Sequence, residues 1–484
     1  MCARRAVGTE SGRPYKASPT ITSLFRAPHT PYNLRFITFR QRVITAVFVY
    51  HEDMSYRTVV KKLMPQGLFD AVAPWGHLAE SVVYNCMYGF PARNMKVIGV
   101  TGTNGKTTTS FLIHRMLSDA GYSVGLMTTV AWAIGDDVHA QTQHMTNVPV
   151  PLLMKRLRAM KAAGVEWLVL ETTSHALVQY RTWGVPYSVA VLTNISQDHL
   201  DYHKTMERYI AAKQRLFKLT QRNKKGLQMG IANADDQNGA SFVAETQHSI
   251  LYGIEAGEVR AHNIRLDASG VRYDAKVQGE TYHITSKLPG SFNVYNTLAA
   301  VCVGQAVGLT RPQIEKGIAS LPGVAGRMEP VDAGQNFAVI VDYAHTPDAL
   351  ANVLSALKTS TKGKLAVVFG ATGDRDKGKR VPMGEVAARL ADRIYLTDDE
   401  TYTENPEAIR AAVLRGITEA GGKDKTVHIP DRAEAIRQAF KDAKAGDTVL
   451  LAGMGHQDYR AMGGEKQPWD EREVARKMLH GLKK

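Results

Sequence analysis

The sequence predicts an α/β protein with two successive units: a central domain with a mostly parallel sheet and a P-loop-type turn, followed by a Rossmann-like C-terminal α/β domain. Three observations predict this fold. Short apolar stretches alternate with helix-length amphipathic stretches, which is typical of parallel strands joined by helices. A glycine-rich turn joins the first apolar stretch to the helix after it. The same alternation then starts again after Gly326.

The first series starts at residue 95. Strands are predicted over residues 96–100, 167–170 and 189–192, and helices over residues 107–121, 293–308 and 311–320. The strands are short, apolar and rich in Val and Leu, as buried strands are. Residues 249–287 instead contain short stretches in which polar and apolar side chains alternate, which indicates an antiparallel part of the same unit.

The second series follows a Pro- and Gly-containing hinge at residues 321–326. Its strands are predicted over residues 338–341, 365–369, 394–396 and 448–451, with helices such as 347–357 and 432–444 between them. The alternation of strand and helix again predicts a parallel sheet with covering helices.

The charge of the chain is unevenly distributed. There are 60 Lys and Arg residues against 46 Asp and Glu, a net charge of +14. The first 50 residues carry eight of the basic residues and one acid, so half of the excess lies there. This stretch predicts a disordered tail, with a transit peptide, or a gene-model extension before a start at Met54, as alternatives.

The rest of the chain is only mildly basic, so the distribution of charge argues against a nucleic-acid-binding protein. No apolar run approaches the ~20 residues of a membrane helix. The three separated cysteines form no disulfide framework. We therefore expect a cytoplasmic protein, acting as a monomer.

The glycine-rich turn is a candidate phosphate-binding loop. It comprises Gly102, Thr103, Asn104, Gly105, Lys106, Thr107 and Thr108. Lys106 would reach the β- and γ-phosphates of a nucleotide, and Thr107 would offer a hydroxyl to Mg²⁺. The first glycine of the general pattern falls on Val100, so the match is incomplete. Its place between a strand and a helix favours a nucleotide site over a plain turn.

Further candidate ligands follow the next strands. Glu171 ends a predicted strand, where nucleotides and their metals bind in open α/β sheets. His199 and His203 have the spacing of a helical zinc pair, but no third ligand at a standard spacing accompanies them, and Mg²⁺ is favoured. Lys213 lies on the following predicted helix. It is a candidate functional residue, and the alternative is an ordinary surface lysine.

Together these motifs resemble the Mur ligases of peptidoglycan synthesis, and among them the tripeptide-synthetase (MurE-type) branch. The resembling segments are residues 101–108, 171–181, 194–217, 288–296, 326–329 and 342–348. The resemblance covers roughly residues 95–484. It implies an ATP- and Mg²⁺-dependent ligase that adds an amino acid to UDP-N-acetylmuramyl-L-alanyl-D-glutamate through an acyl phosphate.

The resemblance also implies roles for individual residues. The catalytic residues would be Lys106, His199 and Lys213. ATP would be held by the loop from Gly102 to Thr108 and by Asn293, Asn296, Arg327 and Asp342. The metal ligands would be Thr107, Glu171, His199 and, if carbamylated, Lys213. The muramyl-peptide and amino-acid substrates would contact Thr146, Asn147, Thr173, Gln179, Arg181, Asp399, Tyr402, Gly453 and Gln457. His345 would lie beside the ATP site, and Asp374, Arg375 and Lys379 on a loop facing the reaction centre.

Three segments depart from the family pattern. The N-terminal UDP-binding domain is short, so the expected segments are a tail over 1–53, a remnant of that domain over 54–94, a central ATP-binding domain over 95–325 and a C-terminal domain over 326–484. Asp399-Glu-Thr-Tyr402 replaces the Asp-Asn-Pro-Arg of diaminopimelate-adding members. Gly453-Met-Gly-His-Gln457 replaces Gly-Lys-Gly-His-Glu. Both changes weaken the case for diaminopimelate without identifying another amine.

Two other functions are compatible with parts of the sequence. One is a different amide ligase on the same scaffold, of the folylpolyglutamate or cyanophycin type. The other is a non-catalytic basic scaffold protein, suggested by the charged N-terminus. The presence of Lys106, Glu171, His199 and Lys213 together favours a catalytic protein.

Overall fold

The protein is described here from a computed structural model. The structure describes residues 66–141, 143, 145–267 and 269–482. The expected tail over 1–53 lies outside these residues. Contacts within the chain divide it after Ala71, and the fold below is that of the part that follows. None of the described helices is long and apolar enough to span a membrane.

The first sheet has eleven strands and forms the centre of the first α/β unit. Its strands are β1 Lys96–Thr101, β2 Val124–Met127, β3 Ala131–Ile134, β4 Asp137–Ala140, β5 Trp167–Glu171, β6 Tyr187–Leu192, β7 Met229–Asn233, β8 His248–Gly253, β9 Val259–Asp267, β10 Gly270–Val277 and β11 Glu280–Ser286. They lie in the order β11-β10-β9-β8-β7-β6-β1-β5-β2-β3-β4. The strands from β9 to β2 pair in parallel, and antiparallel hairpins continue the sheet at both edges. The expected parallel sheet with an antiparallel part is confirmed.

Helices cover both faces of this sheet. They are α1 Gln66–Tyr88, α2 Lys106–Asp119, α3 Val150–Ala162, α4 Ser174–Val178, α5 Leu200–His203, α6 Met206–Arg222, α7 Gly239–Val243, α8 Phe292–Ala306 and α9 Arg311–Ser320. Their apolar side chains join the strands in a core that includes Ile98, Leu112 and Leu298, all fully buried. Burial of such side chains favours folding by roughly 1.5–3 kcal/mol each. Helix α1 lies in the segment expected to be a domain remnant.

The second sheet belongs to the C-terminal unit. Its strands are β12 Glu329–Pro330, β13 Ala338–Asp342, β14 Leu365–Phe369, β15 Arg393–Leu396, β16 Thr426–His428 and β17 Thr448–Ala452, and a separate hairpin contains β18 Tyr459–Met462 and β19 Glu465–Pro468. The order is β12-β13-β17-β14-β15-β16, with β12 antiparallel and the others parallel. The helices are α10 Pro347–Ser360, α11 Arg380–Leu390, α12 Pro406–Glu419, α13 Arg432–Asp442 and α14 Glu471–Leu482. The predicted second α/β unit is therefore confirmed.

The connection between the two sheets places their carboxyl ends on the same cavity. Gly326 lies in this connection with φ +65°, and a Cβ there would come within 2.2 Å of the His456 backbone nitrogen. A residue with a side chain would force these two segments apart. The glycine thus permits the close approach of the connection to the loop after β17.

Candidate active site

A cavity of about 360 Å³ lies between the two units. It is lined by loops that follow the carboxyl ends of strands in both sheets. From the first sheet come the loops after β1, β2, β5 and β6, and from the second the loops after β13, β14, β15 and β17. This is the edge at which open α/β sheets bind their ligands.

The phosphate loop lies at one end of this cavity. Gly105 has φ +82°, and a Cβ there would stand 2.3 Å from the Asn296 side-chain oxygen, so glycine is required. Helix α2 begins at Lys106, directly after the loop, and its N-terminus can hold an anion. The Lys106 Nζ donates to the Thr103 carbonyl at 2.8 Å. Burial lowers the pKa of Lys106, while the carboxylates of Glu171 and Asp198 oppose that shift.

Oxygen ligands for a cation meet beside the loop. The Thr107 hydroxyl donates to Glu171 Oε2 at 3.0 Å, and the Thr129 backbone N–H and hydroxyl donate to the same carboxylate at 3.0 and 3.1 Å. Glu171 ends β5 and is 1% exposed, yet it lines the cavity. A hydroxyl and a carboxylate side by side fit Mg²⁺, which binds one or two protein oxygens and completes its shell with water and phosphate.

His199 also lines the cavity and has an unusual backbone conformation. It has φ +56° and precedes the short helix α5. Its Nε2 lies 3.4 Å from Asp198 Oδ2. Burial alone would raise the pKa of Asp198, but the positive groups of His199 and Lys379 outweigh it and lower that pKa. A charged carboxylate therefore lies next to a predicted metal ligand.

The zinc alternative finds no support in this geometry. The His203 Nε2 is hydrogen-bonded to the Ser174 hydroxyl at 2.9 Å, so this nitrogen already has a partner. No group of three or more His, Cys, Asp or Glu side chains that could hold a metal occurs within the described part of the chain. The hard-oxygen Mg²⁺ site built on Thr107 and Glu171 remains the interpretation.

Lys213 is buried beneath the phosphate loop. Its side chain is 2% exposed, and its Nζ donates to the Gly102 carbonyl at 2.5 Å and lies over the Tyr209 ring. Burial, together with the charge of Lys106, lowers its pKa well below the usual value. The surface-lysine alternative is wrong, because a surface lysine would keep its ammonium group in water.

Four predicted muramyl-peptide contacts line one side of the cavity: Thr146, Asn147, Thr173 and Arg181. Asn147 is the centre of a network: its amide nitrogen donates to the Glu171 carbonyl at 2.8 Å, and its oxygen accepts from the Thr173 backbone N–H and hydroxyl, both at 2.9 Å. Arg181 donates to the Asn147 carbonyl at 2.6 Å. Thr146 also lines the cavity, with its hydroxyl 2.7 Å from that of Thr129. These hydrogen bonds join the residues into one wall beside the candidate metal ligands.

The C-terminal unit contributes cations to the phosphate end. The Arg327 guanidinium donates to the Thr107 hydroxyl at 3.3 Å and lies over the Tyr343 ring. Lys379 is 4% exposed and lines the cavity, and burial lowers its pKa. The two units also touch directly, since the Asn104 amide donates to Asp348 Oδ2 at 2.7 Å.

His345 lies between the phosphate end and the C-terminal unit. Its Nδ1 is 2.8 Å from the Tyr343 carbonyl, so this nitrogen carries the proton and Nε2 is left as an acceptor. Burial lowers the pKa of His345 to about 3, helped by the charge of Lys379 and opposed by Asp198. A neutral imidazole therefore lines the cavity here.

The opposite end of the cavity is formed by the loops after β14, β15 and β17. Asp399, Glu400 and Tyr402 come from the second of these and Gly453 and Gln457 from the third. Gly453 has φ +110°, and a Cβ there would lie 2.2 Å from Asp399 Oδ2, so only glycine fits. Burial raises the pKa of Asp399.

Not every predicted residue reaches the cavity. Those outside its lining are Gly102, Gln179, Lys213, Asn293, Asn296 and Asp342. Asn296 bonds to Asn293 at 2.8 Å and lies behind the phosphate loop. Asp342 accepts the backbone N–H groups of Met328 and Ala344, both at 2.7 Å, and so fixes the segment that carries Arg327. Asp374 accepts from Thr403 and supports the neighbouring loop from outside the lining.

The sequence reasoning missed other lining residues. They include four residues with polar side chains: Thr129, Asp198, Tyr343 and Glu400. Thr129 and Asp198 each follow a strand of the first sheet, and that position was the available signal. In the sequence, Glu400 is only one of the residues that differ from the family motif. Its place in the cavity depends on the fold.

Comparison with known proteins identifies both units. Residues 100–304 match the Mur ligase middle domain, and residues 326–455 match the Mur ligase glutamate ligase domain. A UDP-N-acetylmuramoyl-L-alanyl-D-glutamate–2,6-diaminopimelate ligase of Bacillus licheniformis is 42% identical over 410 residues, which cover 84% of this chain and 83% of the relative. The relative from Thermosynechococcus vestitus with the same enzyme name is 41% identical over 81% of this chain and 78% of its own.

Solved structures agree with this assignment. The structure of a ligase with the same name has a TM-score of 0.57 and 31% identity, covering 85% of this chain and 83% of its own. A folylpolyglutamate synthase of Mycobacterium tuberculosis, solved with ADP and AMPPCP, has a TM-score of 0.66 at 17% identity, with 78% and 92% covered, and shares the fold. With both domains matched and more than 40% identity to a relative over most of both lengths, this chain belongs to the Mur ligase family.

Proposed function

We propose that this protein is an ATP-dependent ligase that joins an amino acid to UDP-N-acetylmuramoyl-L-alanyl-D-glutamate in the synthesis of peptidoglycan precursors. The observation that carries the proposal is the single cavity in which a phosphate loop, oxygen ligands for Mg²⁺ and a polar wall meet the loops of the C-terminal unit. Its similar relatives are named as ligases for this muramyl dipeptide.

The first step forms an acyl phosphate. An oxygen of the substrate carboxylate bonds to the γ-phosphorus of ATP, and the bond from that phosphorus to ADP breaks. The loop N–H groups and Lys106 hold the phosphates, and Arg327 and Lys379 face the charge that spreads over the transferred group. Thr107 and Glu171 would hold Mg²⁺, which would neutralise phosphate charge.

The second step makes the amide. The amine nitrogen bonds to the acyl carbon, a tetrahedral intermediate forms, and inorganic phosphate leaves with its electron pair while the amine releases a proton. The protein has little covalent chemistry to perform here. Its role is to position two substrates in one cavity, and positioning is a main source of rate in such transfers.

The buried position of Lys213 supports a further part of the proposal, namely that this side chain is carbamylated. Carbamylation needs the neutral amine, and burial favours that form. The added carboxylate would supply another hard oxygen ligand near the phosphate loop. Lys213→Ala should lose activity and regain part of it with short carboxylic acids, whereas Lys218→Ala, an exposed lysine of the same helix, should change neither. Absence of rescue, with native mass spectra showing unmodified lysine, would contradict carbamylation.

The proposed function is tested by phosphate release. Purified protein, ATP and Mg²⁺ are combined with UDP-N-acetylmuramoyl-L-alanyl-D-glutamate and a panel of amino acids, and ADP, phosphate and the tripeptide product are measured. We expect release only when dipeptide and amine are both present. Replacing the dipeptide with its UDP-free form tests whether the nucleotide is needed. No release with any amine would overturn the proposal, and gel filtration of the same sample tests whether the active form is the expected monomer.

A further inference from the structure

Two threonines hold the candidate metal carboxylate, and each of them is contacted by the C-terminal unit. The Thr107 hydroxyl donates to Glu171 Oε2 at 3.0 Å, and Arg327 donates to that hydroxyl at 3.3 Å. The Thr129 N–H and hydroxyl donate to the same carboxylate at 3.0 and 3.1 Å. The Thr129 carbonyl in turn lies 3.2 Å from the Nε2 of His456. The carboxylate is therefore linked to the second unit on both of its sides.

His456 follows β17, in the loop that closely approaches Gly326. Its ring packs against the Tyr343 ring, with the ring centres 5.4 Å apart, and the Arg327 guanidinium lies 4.8 Å from the centre of the same tyrosine ring. Because the carbonyl of Thr129 can only accept, the Nε2 of His456 carries a proton and donates it. Both contacts with the threonines of the first unit thus come from one packed group of side chains.

Thr129 lies in the short turn between β2 and β3. This turn is closed by the N–H and hydroxyl of Thr128, which donate to the Ala131 carbonyl at 2.8 and 2.9 Å. Since the turn is held by its own hydrogen bonds, a shift of the Thr129 carbonyl also moves the N–H and hydroxyl of that residue. These are the two groups that donate to Glu171. The loop after β17 therefore helps to set the position of both donors.

Resting on the proposed function, we infer that Thr129 and His456 are positioning residues, and that the hydrogen bond between them orients Glu171 for Mg²⁺ when the C-terminal unit is docked. Neither residue needs to touch the reacting atoms for this role. A coupling between two equilibria acts in both directions, so a filled metal site in turn favours the docked unit.

The first test needs neither metal nor substrate. Amide hydrogen exchange of the metal-free protein is followed over residues 124–134, which contain the Thr129 N–H. His456→Phe keeps a ring against Tyr343 and removes the donor, so exchange in this segment should become faster by about threefold or more. His456→Gln can donate from its amide and should stay within about twofold of the wild type. His480→Phe, at an exposed histidine of α14, is the matched control and should have no effect. Exchange in His456→Phe as slow as in the wild type would overturn the inference.

The second test follows ADP formation as a function of Mg²⁺ concentration. His456→Phe should raise the concentration that gives half the maximal rate by about threefold to tenfold, the size of one neutral hydrogen bond, and leave kcat at saturating Mg²⁺ within about threefold of the wild type. His456→Gln should restore the wild-type value. A fall in kcat without a changed Mg²⁺ dependence, or a His456→Gln variant as impaired as His456→Phe, would contradict a positioning role.

A double variant tests whether the two residues act together. Thr129→Val removes the hydroxyl donor and should also raise the Mg²⁺ requirement. Combined with His456→Phe, it should raise the requirement by less than the product of the two single effects, because both changes break the same path to Glu171. Independent, multiplicative effects would show that the path does not exist. If the wild type forms no ADP with any amine, the ligase proposal fails, and the exchange measurement alone decides the role of the pair.

Discussion

Replacing Glu171 with glutamine removes one charge from the candidate metal site and very little else. The carboxylate accepts three hydrogen bonds, from the Thr107 hydroxyl at 3.0 Å and from the Thr129 N–H and hydroxyl at 3.0 and 3.1 Å. A glutamine oxygen in the place of Oε2 can keep the hydrogen bonds from the Thr107 hydroxyl and the Thr129 N–H. The Thr129 hydroxyl can rotate to accept a hydrogen bond from the new amide. It can then donate its own proton to the Thr146 hydroxyl, which lies 2.7 Å away.

The expected cost to stability is therefore small and the cost to catalysis large. Exchanging charged for neutral hydrogen bonds at this position should lower the free energy of unfolding by about 1–2 kcal/mol. The loss of a fixed charge that orients Mg²⁺ and phosphate should raise the activation free energy by about 3–4 kcal/mol, a 100- to 1000-fold fall in kcat. The two magnitudes differ enough for one variant to separate folding from catalysis.

The assay is the rate of ADP formation as a function of Mg²⁺ concentration, with thermal unfolding of the same preparation. Glu166→Gln is the control, since Glu166 is an exposed acid just before the same strand. We expect Glu171→Gln to need more Mg²⁺ and to be slow even at saturation, while the control behaves as wild type. A kcat within fivefold of wild type, with unchanged Mg²⁺ dependence, would refute the assignment of Glu171 to the metal site.

Three further outcomes follow from the same structure. Lys106→Ala should abolish ATP turnover with a folded protein by circular dichroism; persistent phosphate release would contradict the proposed phosphate loop. Gly453→Ala should lower the free energy of unfolding by about 2–4 kcal/mol, from positive φ and the contact with Asp399, against about 1–2 kcal/mol for Gly463→Ala, where no atom obstructs a Cβ; equal urea midpoints would speak against this. Hydrogen bonds from a neighbouring arginine lower the pKa of Glu404 to about 2, so its stabilising effect is full above the unfolded pKa and disappears as pH falls toward 2. The free energy of unfolding in urea should fall less between pH 6 and pH 2 for Glu404→Gln than for the wild type. An identical fall in both proteins would rule out this contribution.

The elements with local signals were predictable from sequence. The strand before the phosphate loop and helix α2 after it follow from a short apolar run, two glycines and an amphipathic stretch, all within about 25 residues of chain. The boundaries of α9, predicted over residues 311–320, are those of the structure. Its Thr310 and Gln313 form a capping box, which is a start signal readable from sequence.

The parts that depend on contacts between distant segments were not predictable. Lys213 reads as a surface lysine until α6 packs against the sheet and brings it under Gly102, more than a hundred residues away in sequence. Glu400 became a candidate only when the loops after β14, β15 and β17 were seen at one end of one cavity. Long-range register of this kind leaves no pattern in a single sequence, since each contributing loop is short and irregular.

The arrangement of loops around the cavity has a consequence for how such enzymes can diverge. The oxygen ligands and the phosphate loop come from the first sheet, whereas Arg375, Glu400 and Gln457 lie on three short loops of the second. Substitutions at these three positions would leave the phosphate loop, the oxygen ligands, Arg327 and Lys379 in place. Under the proposed function, the amine that is accepted can therefore change through a few point mutations while the groups that activate the acyl donor are inherited intact.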